Sequence, residues 1–335
     1  MKTLRWLAFP FAWIYASVMT LRNLLFDWGI WKTLPLPQNS IGVGNLSVGG
    51  TGKSVLINHL LQQAKERGHT AVLSRGYGRK SKGYILADAI STAEQIGDEP
   101  YQFWKRHPDV YVAVAESRQK GMQRLMALQP APDYYLLDDV FQHRWVAPKK
   151  MILCTRYDAL FADDYVLPMG RLREPKIGKK RAQLCLVTNC PPSIRPEERA
   201  EVRQKLALSP EQALVFSRVE YSQKLAGSAT IAPDQLHDRP LVVVTGIARP
   251  QRFLEALRQK GFHFKSFCFP DHHHFRPKEI AEILEAAAGG NILTTEKDYG
   301  RLVEQLASDK LYYWPIELAF MSSEDQQLFE KVVWA

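Results

Sequence analysis

Residues 40–63 leave this chain few ways to fold. Ser40 to Val43 is a short apolar run of strand type, and Ser54 to Gln63 carries Val55, Leu56, Leu60 and Leu61 at helical spacing. Between them lies Gly44-Asn45-Leu46-Ser47-Val48-Gly49-Gly50-Thr51-Gly52-Lys53-Ser54. Strand, glycine loop, Gly-Lys-Ser and helix together make the Walker A context. Gly49, Gly50 and Gly52 let the backbone curl until N–H groups of this loop, Thr51 included, face one phosphate at the helix N-terminus. Lys53 is expected to reach the β- and γ-phosphates of ATP, and the Ser54 hydroxyl to ligate Mg²⁺. The first position of the motif, usually glycine, is Ser47 here.

Such a site needs a second strand that delivers a carboxylate to the metal. Tyr134-Tyr135-Leu136-Leu137 runs into Asp138-Asp139, an apolar strand with acids at its carboxyl end. Asp138 is the expected metal-side residue, with Asp139 beside it in the metal set.

Ahead of the loop, Trp6 to Leu21 carries no charge and is flanked by Lys2, Arg5 and Arg22. A spanning helix needs about 20 apolar residues; this run is shorter and contains Pro10, Ser17 and Thr20. No small-x-small cleavage site follows, and export would carry an ATP site out of the cell. A helix lying in the membrane interface is the expectation, with Trp6, Phe9, Trp13, Leu24, Phe26 and Trp28 at the acyl boundary. A spanning anchor and a plain buried helix are the alternatives.

Length and composition bound the rest. With 335 residues, 46% hydrophobic and 24% charged, the chain can bury two cores and is not wholesale disordered. The formal net charge of +9 asks for an anionic partner. Nucleic acid, acidic lipid and phosphorylated substrate all satisfy the sign; no nucleic acid is expected. Cys154, Cys185, Cys190 and Cys268 form no CxxC pair and sit in or beside apolar runs, so they read as reduced core residues.

Further motifs follow in a fixed order: Ser74-Arg75-Gly76-Tyr77-Gly78, Gly97-Asp98-Glu99-Pro100, Asp138-Asp139-Val140-Phe141-Gln142-His143, Gly170-Arg171-Leu172-Arg173-Glu174-Pro175, Phe269-Pro270-Asp271-His272 and Thr294-Thr295-Glu296-Lys297-Asp298. With the glycine loop, this order resembles the tetraacyldisaccharide 4′-kinase family, the lipid A 4′-kinases of Gram-negative bacteria. Ser47 matches that family's own loop. The resemblance implies ATP, Mg²⁺ and transfer to the 4′-hydroxyl of a lipid disaccharide 1-phosphate. It places the chain at the cytoplasmic face of the bacterial inner membrane, peripheral or monotopic, against anionic lipid; a monomer is expected.

Phosphoryl transfer asks the protein for positioning, charge neutralisation and a proton acceptor. Asp98 is the expected base, although Gly-Asp-Glu-Pro also suits a helix cap, and both roles are compatible. The resemblance adds His272 as its partner, and Lys53 completes the catalytic set. His143 and Glu174 resemble family residues near metal and nucleotide. Arg75, Arg118, Arg171 and Arg173 are expected on phosphate or substrate. The basic stretch of Arg144, Lys149, Lys150, Arg171, Arg173, Lys176, Lys179, Lys180 and Arg181 has the charge to face headgroups. Three consecutive histidines, His272 to His274, diverge in direction and do not make a metal cluster.

Apolar runs alternating with helical segments argue for an α/β fold, a P-loop-type mostly parallel sheet followed by a second, smaller α/β unit. The expected division is 1–34 for the membrane-associating segment, 35–222 for the P-loop unit and 223–335 for the smaller unit closing the cleft. Two rival readings are a GTPase or metallochaperone-type protein and a membrane-associated ATPase switch. Thr295-Glu296-Lys297-Asp298 has its lysine one place late for guanine recognition, and Val48 stands where the switch class carries lysine.

Overall fold

The apolar runs become the interior of two sheets. The structure, a computed structural model, describes residues 8–237, 239–271, 273–306 and 308–334. The larger sheet has nine strands, in the order 316–320, 213–221, 184–188, 150–156, 40–45, 134–137, 70–74, 111–114 and 85–86. Neighbours run parallel except at the two edges. Ser40–Asn45, Thr70–Ser74 and Leu184–Thr188 are buried from end to end. Parallel strands covered on both faces must be apolar throughout, which is why they read as unbroken runs. The helix Lys53–Lys65 packs Leu56, Ile57, Leu60 and Leu61 into one core with Phe329 and Val333. A second core gathers Leu46, Phe141, Phe161, Leu172 and Phe216.

The smaller sheet has five strands, in the order 226–227, 311–314, 291–295, 241–245 and 265–268, antiparallel only at the first pair. Gln251–Gln259, Pro277–Ala287 and Glu296–Leu306 are its crossover helices. Residues 316–334 then return to the larger sheet. Ile316–Phe320 pairs with Ala213–Tyr221, with Tyr221 opposite Ile316, and the helix Ser323–Trp334 packs beside that pair. A boundary at residue 222 thus marks a crossing that the chain makes twice.

The amino-terminal helix is Phe9–Asp27, and among the described residues no helix is long and apolar enough to cross a membrane. Phe11, Ile14, Val18 and Leu21 recur at helical spacing and are all more than half exposed, as are Phe9, Trp13 and Trp28. Phe26 and Leu24, expected on that outer face, turn inward instead: Phe26 is buried and Leu24 half-buried. Phe26 meets Trp31 and Trp145 edge-on, with ring centroids 5.2 and 4.9 Å apart. Trp6 lies outside the described residues. Cys154, Cys185 and Cys190 are buried, but Cys268 is exposed. It ends the edge strand Lys265–Cys268, which contributes little to the core.

Candidate active site

Connections leave the carboxyl ends of Ser40–Asn45 and Tyr134–Leu137 toward opposite sides of the larger sheet, the arrangement at which α/β sheets form a binding crevice. The glycine loop curls into it. Gly49 and Gly52 take φ of +101° and +79°, a conformation that disfavours any side chain, and Gly52 caps the helix Lys53–Lys65. The loop is braced from three directions. Asn45 Nδ2 donates to Thr51 Oγ1 at 2.8 Å, and Thr188 Oγ1 donates to the Thr51 carbonyl at 3.0 Å. On the third side the Gly170–Pro175 motif lies along the loop. Val48 N–H donates to the Arg171 carbonyl at 2.8 Å, and Arg173 N–H to the Leu46 carbonyl at 2.7 Å. Ser47 forms an antiparallel bridge with Leu172 and has no positive φ, so this position does not require glycine.

The acidic strand end comes close because Gly44 has no side chain: a Cβ there would lie 2.5 Å from Phe141 Cβ. Asp138 is buried and accepts from Ser74 Oγ at 3.0 Å. Desolvation, with Glu99 and Asp139 nearby, pushes its carboxyl up to about 7. Asp139 sits next to it with φ of +45°. Burial works to raise its carboxyl as well, but hydrogen bonds from Arg173 and the charges of Lys53 and Arg118 bring it down to about 2. Arg173 holds both Asp139 oxygens, and Lys53 Nζ lies 3.6 Å from Oδ1. Ser54 Oγ donates to Glu99 Oε1 at 3.0 Å.

Asp98 opens the helix Asp98–Arg106, whose cap position falls on Gly97 and shows no side-chain cap bond. Its carboxylate instead pairs with Arg301, from a helix on the far side of the cleft. His272 lies outside the described residues. A cleft of about 220 Å³ separates the sheets beside Ser54, lined by Val55 and Gln102 on one side and Phe253, Lys297 and Trp314 on the other.

The remaining candidates divide by exposure. Arg118 is buried, donates to the Ala115 carbonyl and to the Asp138 carbonyl at 3.3 Å, and desolvation lowers it to about 10. It stiffens the acidic turn from behind. Arg75 is exposed, with no acidic partner among the described residues. His143 is brought down to about 4 by burial and by the cations Arg118 and Arg75. Glu174 is fully buried; Arg181, Asn23 and Gln142 all donate to it, so it joins the amino-terminal helix to the loop's splint. Arg171 is exposed and paired with Asp164.

Much of the basic stretch is engaged internally. Arg144 pairs with Asp27, Arg181 with Glu174, and the Lys176 and Lys179 ammonium groups donate to backbone carbonyls. Lys149, Lys180 and Arg171 remain exposed. The Thr295–Asp298 run is likewise internal: Thr295 bonds Asp298, Glu296 pairs with Arg106 and Lys297 with Asp271. His273 bonds Glu279, and no group of three or more His, Cys, Asp or Glu poised for a metal occurs among the described residues. Sequence reasoning missed Glu99, Asn45 and Arg301. Glu99 is the neighbour of Asp98 in Gly97-Asp98-Glu99-Pro100; Arg301 carries no local signal, because its partner lies 203 positions away.

Comparison with known proteins covers nearly the whole chain. The family profile described as Tetraacyldisaccharide-1-P 4'-kinase matches residues 4–333. The tetraacyldisaccharide 4'-kinase of Flavobacterium johnsoniae is 42% identical over 97% of this chain and 95% of its own. That of Bacteroides thetaiotaomicron is 41% identical over 99% and 93%. Among solved structures, the "apo" form of LpxK from Aquifex aeolicus in complex with ATP superposes with a TM-score of 0.78 at 28% identity, covering 98% of this chain and 99% of that one.

Proposed function

Because this chain belongs to the Tetraacyldisaccharide-1-P 4'-kinase family, we propose that the glycine-loop crevice is where it phosphorylates its lipid. The family makes it an ATP-dependent kinase of lipid A biosynthesis, acting on the 4′-hydroxyl of a tetraacyldisaccharide 1-phosphate. The observation that carries the assignment is the position of Lys53, at the helix start and 3.6 Å from Asp139, beside the buried Asp138.

In the reaction the 4′ oxygen forms a bond to the γ-phosphorus, the bond to the β–γ bridging oxygen breaks, and ADP leaves. Backbone N–H groups of Gly49 to Gly52 hold the phosphates, and Lys53 neutralises charge that grows on the departing oxygens. Asp98 takes the hydroxyl proton, supported by His272. Arg75, an exposed cation directly after Thr70–Ser74, takes a phosphate of the nucleotide or the acceptor in this reading.

Ser54 and Glu99 are hydrogen-bonded, and Glu99 lies near enough to Asp138 to raise its carboxyl; a hydroxyl and two carboxylates are donors that fit Mg²⁺, which keeps few protein ligands and several waters or phosphate oxygens. When bound, the ion supplies charge neutralisation on the phosphate oxygens. Asp139 fits the metal set less well, since Arg173 occupies both its oxygens.

The exposed Phe11, Ile14, Val18 and Leu21 stripe supports a peripheral seat on the membrane surface; the leaflet is the cytoplasmic one in this reading, and the chain acts as a monomer. The test is incubation with ATP and a disaccharide 1-phosphate lipid, followed by mass analysis. One added phosphate on the lipid is expected; ATP hydrolysis with no lipid product, or an equal rate with GTP, would return the rival P-loop readings.

A further inference from the structure

We infer that Arg301 is a positioning residue for Asp98, reaching from the smaller sheet's side of the cleft to aim the carboxylate at the acceptor hydroxyl. The inference rests on Asp98 acting as the base. Arg301 belongs to the helix Glu296–Leu306, which follows the strand Asn291–Thr295 of the smaller sheet, whereas Asp98 opens a helix that packs on the larger one. Their side chains are 11% and 23% exposed, so the pair is largely sheltered from water, and its geometry counts for more than that of a surface ion pair.

Arg301 has a rigid, buried carboxylate behind it, within ion-pair range and not hydrogen-bonded. Its guanidinium lies 4.0 Å from Asp298 Oδ1, and Asp298 is completely buried. The other oxygen of Asp298 accepts from the Gly246 N–H at 2.7 Å and from Thr295 Oγ1 at 2.8 Å, both at strand ends of the smaller sheet. Aspartate has few side-chain rotamers, and fixing one carboxylate oxygen fixes the plane in which the other lies. A base must sit within hydrogen-bond reach of the proton it takes, and small misplacements are costly in rate.

The two helices meet closely enough to transmit that aim. Gly300 lies against the Tyr101 ring, where an added Cβ would come within 3.0 Å. Tyr101 O–H donates to Glu304 at 3.4 Å, and Arg106 donates to Glu296 at 3.0 Å. Asp98 is therefore set by both walls of the cleft, and its orientation depends on their being together.

Steady-state kinetics on full-length Arg301→Ala, Arg301→Lys, Asp98→Ala and Glu304→Ala separate the possibilities. Arg301→Ala is expected to lower kcat by about 10–100-fold with the KM for ATP unchanged. Arg301→Lys should recover at least part of that loss. Arg301→Ala placed on Asp98→Ala should cost nothing further, since the residue being aimed is gone. Glu304→Ala removes one long bond of the helix pair, leaves the Gly300–Tyr101 packing and the Asp98–Arg301 pair in place, and should keep kcat. If Arg301→Ala is recovered unfolded, Arg301→Gln carries the same comparison. An Arg301→Ala or Arg301→Gln protein with wild-type kcat, or an equal loss in Glu304→Ala, overturns the positioning role. Wild-type activity in Asp98→Ala instead overturns the base assignment itself.

Discussion

Arg173 grips Asp139 with two parallel bonds, 2.9 Å from Nη1 to Oδ2 and 2.8 Å from Nη2 to Oδ1, while its own backbone N–H holds the Leu46 carbonyl of the glycine loop. One residue thus ties the acidic turn to the phosphate loop. Asp139 in turn stands 3.6 Å from Lys53, so the lysine's position depends on a carboxylate that Arg173 keeps in place. The bidentate fork is a geometry that only guanidinium supplies.

Arg173→Lys should therefore be far from conservative. It keeps the charge but loses one of the two parallel bonds, and kcat/KM should fall by roughly 10–100-fold. Measuring kcat/KM beside the affinity for a fluorescent ATP analogue checks this; an unchanged value would show that Asp139 holds its place unaided.

Lys53→Ala should remove nearly all transfer, by about 10²–10³-fold or more, since it deletes a cation aimed at the developing charge. The fold should survive, because Lys53 is the first residue of its helix and supports no core contact. A folded Lys53→Ala protein with turnover within a few-fold of wild type would take the loop out of the mechanism.

Asp98→Ala should lower kcat by roughly 10²–10⁴-fold, the range for a lost general base, with ATP affinity little changed. His272→Ala should also act on kcat, and the double variant should lose less than the product of the single losses. Multiplicative losses would assign the two residues separate roles. Asp98→Asn gives up the sheltered pair with Arg301 and should melt lower as well as lose kcat; because Gly97 occupies the cap position, a destabilised protein with full kcat would make Asp98 a structural partner of Arg301 and not the base.

Membrane contact is best probed on the outer stripe. Deleting residues 1–28 would strip Asn23 from the buried Glu174 and Phe26 from its aromatic cluster, confounding binding with stability. Phe11→Ser combined with Val18→Ser leaves those contacts intact. Flotation with anionic vesicles should fall markedly while ATP binding stays; full flotation would shift attention to Lys149, Lys180 and Arg171.

The stability that His107 supplies should fall on mild acidification, against an opposite contribution from Asp138, whose carboxyl is raised to about 7. His107 is buried, bonded to Asn58 Oδ1 at 3.1 Å, and brought down to about 3 chiefly by desolvation, with Arg106 and Lys65 adding to it. The unfolded chain, with an ordinary histidine near 6.5, takes up its proton first, so stability is complete above that pH and is lost as pH falls toward 3. His143, at about 4, adds in the same direction. Compared by urea midpoints at pH 7.5, 6 and 5, the wild type should lose ground to His107→Gln as the pH falls; a constant difference between the two would place the acid sensitivity elsewhere.

The phosphate loop could be read from the sequence because its chemistry is contiguous: glycines, lysine and serine lie within a few residues of one another. The parallel sheets were equally plain, since buried strands such as Leu184–Thr188 leave no alternation to misread. The partners of the site residues could not be read. Nothing local to Arg173 names Asp139 as its partner, and nothing local to Glu174 names Asn23 or Arg181. The contact of Ser54 with Glu99 crosses 45 positions, and that of Asp98 with Arg301 crosses 203; such pairings are written by topology.

The opposition of Tyr221 and Ile316 also bears on how such an architecture could be assembled. Everything between them begins and ends at adjacent rungs of one ladder, as a long turn does. The entropy of closing such a loop rises by only about 0.6 kcal/mol with each doubling of its length. The smaller sheet is thus carried as a guest inside a hairpin of its host. A chain cut at residue 222 would strip the host of its edge strand and last helix, whereas one that bridged 221 directly to 316 would keep both.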